Sequence, residues 1–237
     1  MRPPFLLLLL SLASLQASTA QQLPLPCTSF NASKIRVVTF DTFAALMDLY
    51  SSLDRNVPAA APFFTPSQTK EFISRVVAQY GGGEGKAYDR VETRGRQPFA
   101  YVARMGLIKT LADMGLQLQV PTDSPTFQAL LDTWRDLIPW PGTGDVLAKV
   151  HASGRLIGPL SNGDSSTLSA ATSIFEANGV HMDFIFSSDF PVGALKPLPP
   201  IYAQVANLTG FANDEILHVA GAPGDARGCR EYGLYSA

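Results

Sequence analysis

The sequence predicts an α/β fold, a Rossmann-like parallel sheet core with an inserted helical cap. Three observations carry this reading. Short apolar, β-branched runs alternate with helix-patterned segments, as in a parallel sheet whose strands are joined by right-handed helical crossovers. The long stretch after the first of these runs is patterned as helices alone. Each strand-like run ends in a polar residue or loop, at the carboxyl edge where open α/β sheets take their ligands.

Taken in order, residues 1–20 read as a signal peptide: Met1-Arg2-Pro3-Pro4, an apolar run from Phe5 to Leu15, then the small residues Ala17-Ser18-Thr19-Ala20. A membrane-crossing helix needs roughly 20 apolar residues, and Ser11, Ser14 and Gln16 break this run sooner. Cleavage is expected after Ala20, which gives a protein that is secreted or held in the secretory lumen, with no membrane partner thereafter. Ile35-Arg36-Val37-Val38-Thr39-Phe40 is the first core strand, ending at Asp41. Helices are predicted at 44–53, 67–80, 98–118 and 124–137, separated by Pro- and Gly-rich breaks. The break Gly81-Gly82-Gly83-Glu84-Gly85 is a loop and not a phosphate cradle, because no strand precedes it. Alternation returns beyond Pro141, with helices at 145–151, 165–178, 201–206 and 226–232 and strands at 156–160, 184–187 and 216–220. The core is therefore 21–47 plus 139–237, and the cap 48–138.

The 237 residues, less a leader, suffice for one core and an inserted subdomain. A net charge of −2 and a pI near 5.9 leave no basic stripe, and Arg94-Gly95-Arg96 is too short to make one, which excludes a nucleic-acid partner. Cys27 and Cys229, near opposite ends of the mature chain, either pair in an oxidising compartment or remain separate thiols. The sequons Asn31-Ala32-Ser33 and Asn207-Leu208-Thr209 fit a secreted glycoprotein. Apolar faces on the cap helices serve either internal packing or a homodimer contact.

Residues just past each strand gather at one sheet edge, and here they are Asp41, Ser161-Asn162-Gly163, Lys196-Pro197 and Asp225. In order and with their flanks they resemble the haloacid dehalogenase superfamily, and within it the 2-haloacid dehalogenases. Phe40-Asp41-Thr42-Phe43-Ala44-Ala45-Leu46 is similar to the dehalogenase pattern of Phe-Asp with an aromatic two residues past the Asp. Phosphatases of the superfamily carry a second Asp there, so Phe43 argues against phosphoryl transfer. Leu160-Ser161-Asn162-Gly163 has the dehalogenase form, Lys196-Pro197 is followed by Tyr202 a turn on, and Asp225 opens Asp225-Ala226-Arg227-Gly228.

The resemblance implies a metal-independent hydrolase with no cofactor, acting on a carbon–halide bond of a small carboxylate substrate. Asp41 would attack the carbon and form an ester that water hydrolyses. Lys196 would stabilise the charge of Asp41, and Asp225 would hold Lys196. Ser161, Asn162 and the amides at the next helix start would receive the substrate carboxylate, with Phe43 and Tyr202 in support. The cap arginine for the departing halide is assigned to Arg75, whose other reading is a solvated helix face. Ala45, Ala220 and Ala222 stand where the family has Thr, Ser and Asn. Two further readings follow: an impaired or inactive relative that binds a carboxylate or a partner, and a magnesium-dependent phosphatase. The family continues past its last motif through another strand and usually a helix, so either the sheet lacks an edge element or the sequence is cut short at Tyr235-Ser236-Ala237.

Overall fold

In the computed structural model, the structure describes residues 30–79, 99–189 and 192–237. The leader, Cys27, the Gly81 to Gly85 loop and Arg94 to Arg96 lie outside these residues. The chain runs β1 (Val37–Phe40), β2 (Met47–Asp48), α1 (Leu49–Ala60), α2 (Pro66–Ala78), α3 (Phe99–Asp113), α4 (Pro125–Asp132), β3 (Ile138–Pro139), α5 (Thr143–Ala152), β4 (Leu156–Pro159), α6 (Ser165–Ala177), α7 (Pro199–Thr209), β5 (Ile216–Val219), α8 (Pro223–Tyr232) and β6 (Tyr235–Ser236). The sheet order is β4-β1-β5-β6, with every pairing parallel.

All four residues of β1 are buried, as a central strand covered on both faces requires. Its side chains alternate between two clusters. Val38 and Phe40 join Leu147 of α5, Ile157 of β4 and Ala171 and Phe175 of α6 on one face. Val37 joins Ile201, Tyr202 and Val205 of α7, Ile216 of β5 and Cys229 of α8 on the other. Helices thus sandwich the sheet.

The helices between β2 and β3 have a core of their own. Leu53 and Val57 of α1, Phe72, Ile73 and Val76 of α2, Phe99, Leu107 and Leu111 of α3, and Phe127 and Leu130 of α4 are all buried in it. Phe43 and Leu49 pack against both this cluster and the sheet cluster, so they are the apolar joint between the two. The chain leaves and re-enters the sheet unit through the antiparallel ribbon β2–β3. None of the helices among the described residues is long and apolar enough to cross a membrane.

Apart from helix ends, where the helices expected at 98–118 and 124–137 stop at Asp113 and Asp132, the structure differs from expectation at three places. The helix expected at 44–53 is divided. Residues Thr42–Leu46 form a single π turn closed by Met47 N–H on the Thr42 carbonyl, β2 follows, and α1 starts only after Asp48, whose carboxylate caps Ser51 N–H at 3.0 Å. Tertiary bonds override local propensity here: the Trp140 indole N–H donates to the Ala44 carbonyl at 3.1 Å and its backbone N–H to Leu46.

The strand expected at 184–187 is reduced to one bridge, Leu160 to Phe186. Phe186 N–H donates to the Pro159 carbonyl and Ser161 N–H to the Phe186 carbonyl, but Pro159 has no N–H to continue the ladder toward Phe184. Finally, Tyr235–Ser236 supplies an edge strand paired to Leu217 and His218. The described chain therefore has the edge element that the resemblance left in doubt.

Candidate active site

Because β1, β4 and β5 run parallel, the residues that follow them meet at one edge. Asp41 comes directly off β1, its N–H bonded to the Val219 carbonyl of β5. Its side chain caps the π turn, accepting from Ala44 N–H at 3.2 Å through Oδ2. Oδ1 accepts from the Ser161 hydroxyl at 3.3 Å and from the Lys196 ammonium at 3.2 Å. The Lys196 Nζ also donates to Asp225 Oδ2 at 2.7 Å. Asp225 sits in the first turn of α8, where a carboxylate is favoured by the helix dipole, and its Oδ1 accepts from the Tyr202 hydroxyl at 2.8 Å. The Lys196 side chain is only 5% exposed, against 15% for Asp41 and 9% for Asp225. Two carboxylates thus share one buried ammonium.

The site has a close-packed back wall. A Cβ placed on Gly221 would lie 2.7 Å from Asp41 Oδ2 and 2.6 Å from the Ala44 Cβ, so only glycine lets the segment after β5 pass behind the carboxylate. Gly221→Ala is expected to displace Asp41, and any reaction rate that depends on this carboxylate should fall about 100-fold, since small misplacements of reacting groups carry losses of that order. Steady-state kinetics beside a thermal melt checks this, because the fold should survive.

Asn162 and Ser161 do different things. The Asn162 side-chain carbonyl accepts the Lys196 backbone N–H at 2.6 Å, so this residue fixes the segment that carries the ammonium. The helix start expected to offer amides to a ligand is largely engaged within the protein. Ser161 N–H is bonded to Phe186, Ser165 N–H to Asp189, and Thr167 N–H to Asp164, the N-cap of α6. Phe43 lies over this loop, its ring close to Gly163, stacked on Phe99 at 5.1 Å and edge-on to Trp134 at 5.5 Å. That trio forms an apolar roof contributed by both units.

Arg75 is not part of this cluster. Its guanidinium pairs with Glu71, one helical turn back on α2, at 2.8 and 2.9 Å, and the side chain is 43% exposed. The i,i+4 spacing satisfies it on the surface, so the solvated-face reading of this residue is the one that the geometry supports. Cys229 is buried against the Tyr235 carbonyl, and burial pushes its thiol up to about 12.

Sequence reasoning missed His218. Read as an ordinary position within a strand, it is wholly buried, with Nδ1 2.9 Å from the Thr39 hydroxyl and Nε2 2.9 Å from Asp225 Oδ2 and 3.2 Å from Lys196 Nζ. A histidine inside an otherwise apolar four-residue run was the available signal.

Electrostatics follow from this packing. Burial alone would raise Asp225, but the hydrogen bond from His218 and the charge of Lys196 outweigh it and bring the carboxyl down to about 2. Burial, with the Lys196 charge in addition, pushes His218 below its ordinary 6.5, so the ring is held neutral. Burial and the Asp225 charge raise Tyr202, which stays a phenol and a donor.

Both depressed groups bind protons more readily unfolded, so their stability contributions are present at higher pH and lost on acidification. For His218 the loss begins below about 6.5, its unfolded value, and for Asp225 it falls between 3.8 and about 2, the latter being worth on the order of 2 kcal/mol. Urea midpoints are expected to fall in two stages as pH drops, and Asp225→Asn should remove the second.

Among the described residues, no three His, Cys, Asp or Glu side chains are grouped so as to hold a metal ion. The sequence is similar to (S)-2-haloacid dehalogenases of Pseudomonas fluorescens and Pseudomonas putida, 29% and 28% identical over 125 residues. That match spans 53% of this chain and 52% of each relative, about half their length. The structure superimposes on the defluorinating L-2-haloacid dehalogenase Rha0230 with a TM-score of 0.73 and 25% identity, over 90% of this chain and 84% of the other.

The chain has the haloacid dehalogenase fold. The L-2-haloacid dehalogenase of Xanthobacter autotrophicus shares it at a TM-score of 0.71 and 24% identity, over 85% of this chain and 76% of that one, and it has also been solved with chloropropionic acid covalently bound. No family model matches the chain. Within the haloacid dehalogenase fold, the edge occupied by Asp41, Ser161, Lys196 and Asp225 is the one that open α/β sheets use for ligands.

Proposed function

We propose that the protein is a metal-independent hydrolase of the 2-haloacid dehalogenase type, with residues 48–138 as its cap. The observation that carries the reading is the Lys196 ammonium held between Asp41 and Asp225 at 3.2 and 2.7 Å. It fills with a fixed protein charge the position between two carboxylates that a divalent cation would otherwise neutralise, and it leaves a nucleophilic carboxylate at the sheet edge.

In the first step an Asp41 oxygen attacks the halogen-bearing carbon, the new C–O bond forms as the carbon–halogen bond breaks, and halide leaves with the electron pair. In the second, water adds to the ester, Asp41 is regenerated, and a 2-hydroxy acid and one proton are released. Three hydrogen bonds, from Ser161, Lys196 and Ala44, restrict the carboxylate before attack. The substrate carboxylate is received by the Asn162–Gly163 loop beside Ser161 rather than by the helix start, whose amides at Ser165 and Thr167 have partners, or by the Ser161 hydroxyl, whose proton goes to Asp41. The Phe43, Phe99 and Trp134 rings exclude water over the reacting carbon.

The signal segment and the sequons further support a secreted protein glycosylated at Asn31 and Asn207. Both acceptors are exposed in the structure. Endoglycosidase-sensitive mass on protein collected from medium tests this.

For the reaction, the test is halide release from short 2-haloacids in chelator-treated buffer. Steady release over many turnovers is expected. Release only after magnesium is added, or none from any member of the panel, contradicts the reading. A binding protein without turnover, the alternative raised by the methyl side chains at Ala45, Ala220 and Ala222, is not favoured by the similarity to 2-haloacid dehalogenases. That alternative predicts thermal stabilisation by 2-hydroxy acids with no product formed.

A further inference from the structure

We propose that His218 is a positioning residue for this reaction: its imidazole holds the Asp225 carboxylate in the orientation that receives Lys196, and thereby aims the ammonium at Asp41. The inference rests on the function proposed above and adds a residue that the motifs do not contain.

The segment beyond β5 packs against Asp41 at Gly221 and carries only methyl groups and hydrogen at Ala220, Gly221 and Ala222. It offers no side-chain hydrogen bond. His218 is the one polar side chain of β5, and it reaches the cluster from inside the strand. The tautomer follows from its partners. Nε2 lies 2.9 Å from Asp225 Oδ2, which only accepts, and 3.2 Å from the Lys196 ammonium, which only donates; the shorter contact decides, so Nε2 carries the proton and donates to Asp225, and the ammonium lies beside the ring without bonding to it. Nδ1 is then bare and accepts from the Thr39 hydroxyl, also at 2.9 Å. Thr39 belongs to β1, two residues before Asp41, so the strand that presents the nucleophile also orients the ring.

Asp225 consequently has three donors on two oxygens: Tyr202 on Oδ1, and His218 and Lys196 on Oδ2. A carboxylate fixed from both sides cannot swing, and the ammonium bonded to it is fixed in turn. The titratable or charged groups facing the ring are Asp41 beyond β1, Lys196 on the segment before α7, Tyr202 of α7 with its ring centre 6.1 Å away, and Asp225 of α8. His218 lies too deep to touch substrate, so its effect passes through Asp225 and Lys196 alone.

The test compares His218→Phe, which removes both bonds and keeps a ring, with His218→Gln, which keeps an N–H near the Nε2 position. Halide release from 2-chloropropionate gives kcat and KM, and carbon-13 NMR follows the titration of the Asp225 carboxyl. His218→Phe should lower kcat at least about tenfold with KM within about twofold, and raise the Asp225 titration by about one pH unit. His218→Gln should recover most of both. A titration unmoved in His218→Phe overturns the proposal whatever happens to the rate, and so does a shifted titration with unchanged kcat. If His218→Phe does not fold, His218→Asn, too short to reach Asp225, takes its place. Absence of turnover in the unmodified protein rejects the proposed function instead, and the Asp225 titration alone then decides whether His218 holds that carboxylate.

Discussion

Lys196→Met is expected to abolish turnover and to destabilise the fold by about 3–5 kcal/mol, the cost of leaving buried charges without their partner. The size follows from geometry. The ammonium, 5% exposed, is the counter-charge to Asp225 at 2.7 Å and Asp41 at 3.2 Å, and a thioether of similar length leaves two carboxylates facing each other. Its acid response should also change sign locally, because protonating Asp225 then relieves repulsion instead of breaking an ion pair. Urea unfolding at neutral pH and near pH 4 measures both effects. A variant within about 1 kcal/mol of the parent at neutral pH would mean that the pair contributes little.

Asp41→Asn is the complementary case, with a larger effect on rate and a small one on stability. The amide cannot act as the nucleophile, and removal of a nucleophile typically lowers turnover by about 10⁴-fold or more. Asp225 still pairs with Lys196, however, so no buried charge is orphaned, and the stability change should stay within about 1 kcal/mol. Halide release and a urea titration on the same preparation separate the two quantities. Retention of substantial activity would place the nucleophile elsewhere.

Much of this site was legible because it is built from strand ends. A β-branched run stopping at a carboxylate, Val37-Val38-Thr39-Phe40-Asp41, announces both a buried parallel strand and the residue at its open edge. Ser161 and Asp225 follow the same logic after β4 and β5. What escaped the sequence depends on contacts between distant residues. The division of the expected 44–53 helix is imposed by Trp140, which bonds the Ala44 and Leu46 carbonyls from nearly a hundred positions away. Asp48 and Ser51 did offer a local capping signal for the true start of α1. The shortened strand near Phe186 reflects a missing donor on its neighbour, Pro159, rather than anything in its own residues.

Roles were harder to read than positions. Asn162 carries the motif, yet its side chain serves the Lys196 backbone, and Arg75 has the charge expected of a halide ligand but pairs locally with Glu71. His218 shows the limit from the other side. The apolar run around it signals that the ring is buried, but its role depends on Thr39, Lys196 and Asp225, which come from three other parts of the chain.

In the proposed reaction Asp41 becomes covalently bonded to the substrate carbon. Rapid acid quenching of the protein during turnover of 2-chloropropionate, followed by peptide mass analysis, addresses it directly. The peptide containing Asp41 is expected to gain the mass of the substrate less its halide, and the gain should be absent in Asp41→Asn. An unmodified Asp41 peptide while halide is being released, or the adduct on another residue, would contradict it.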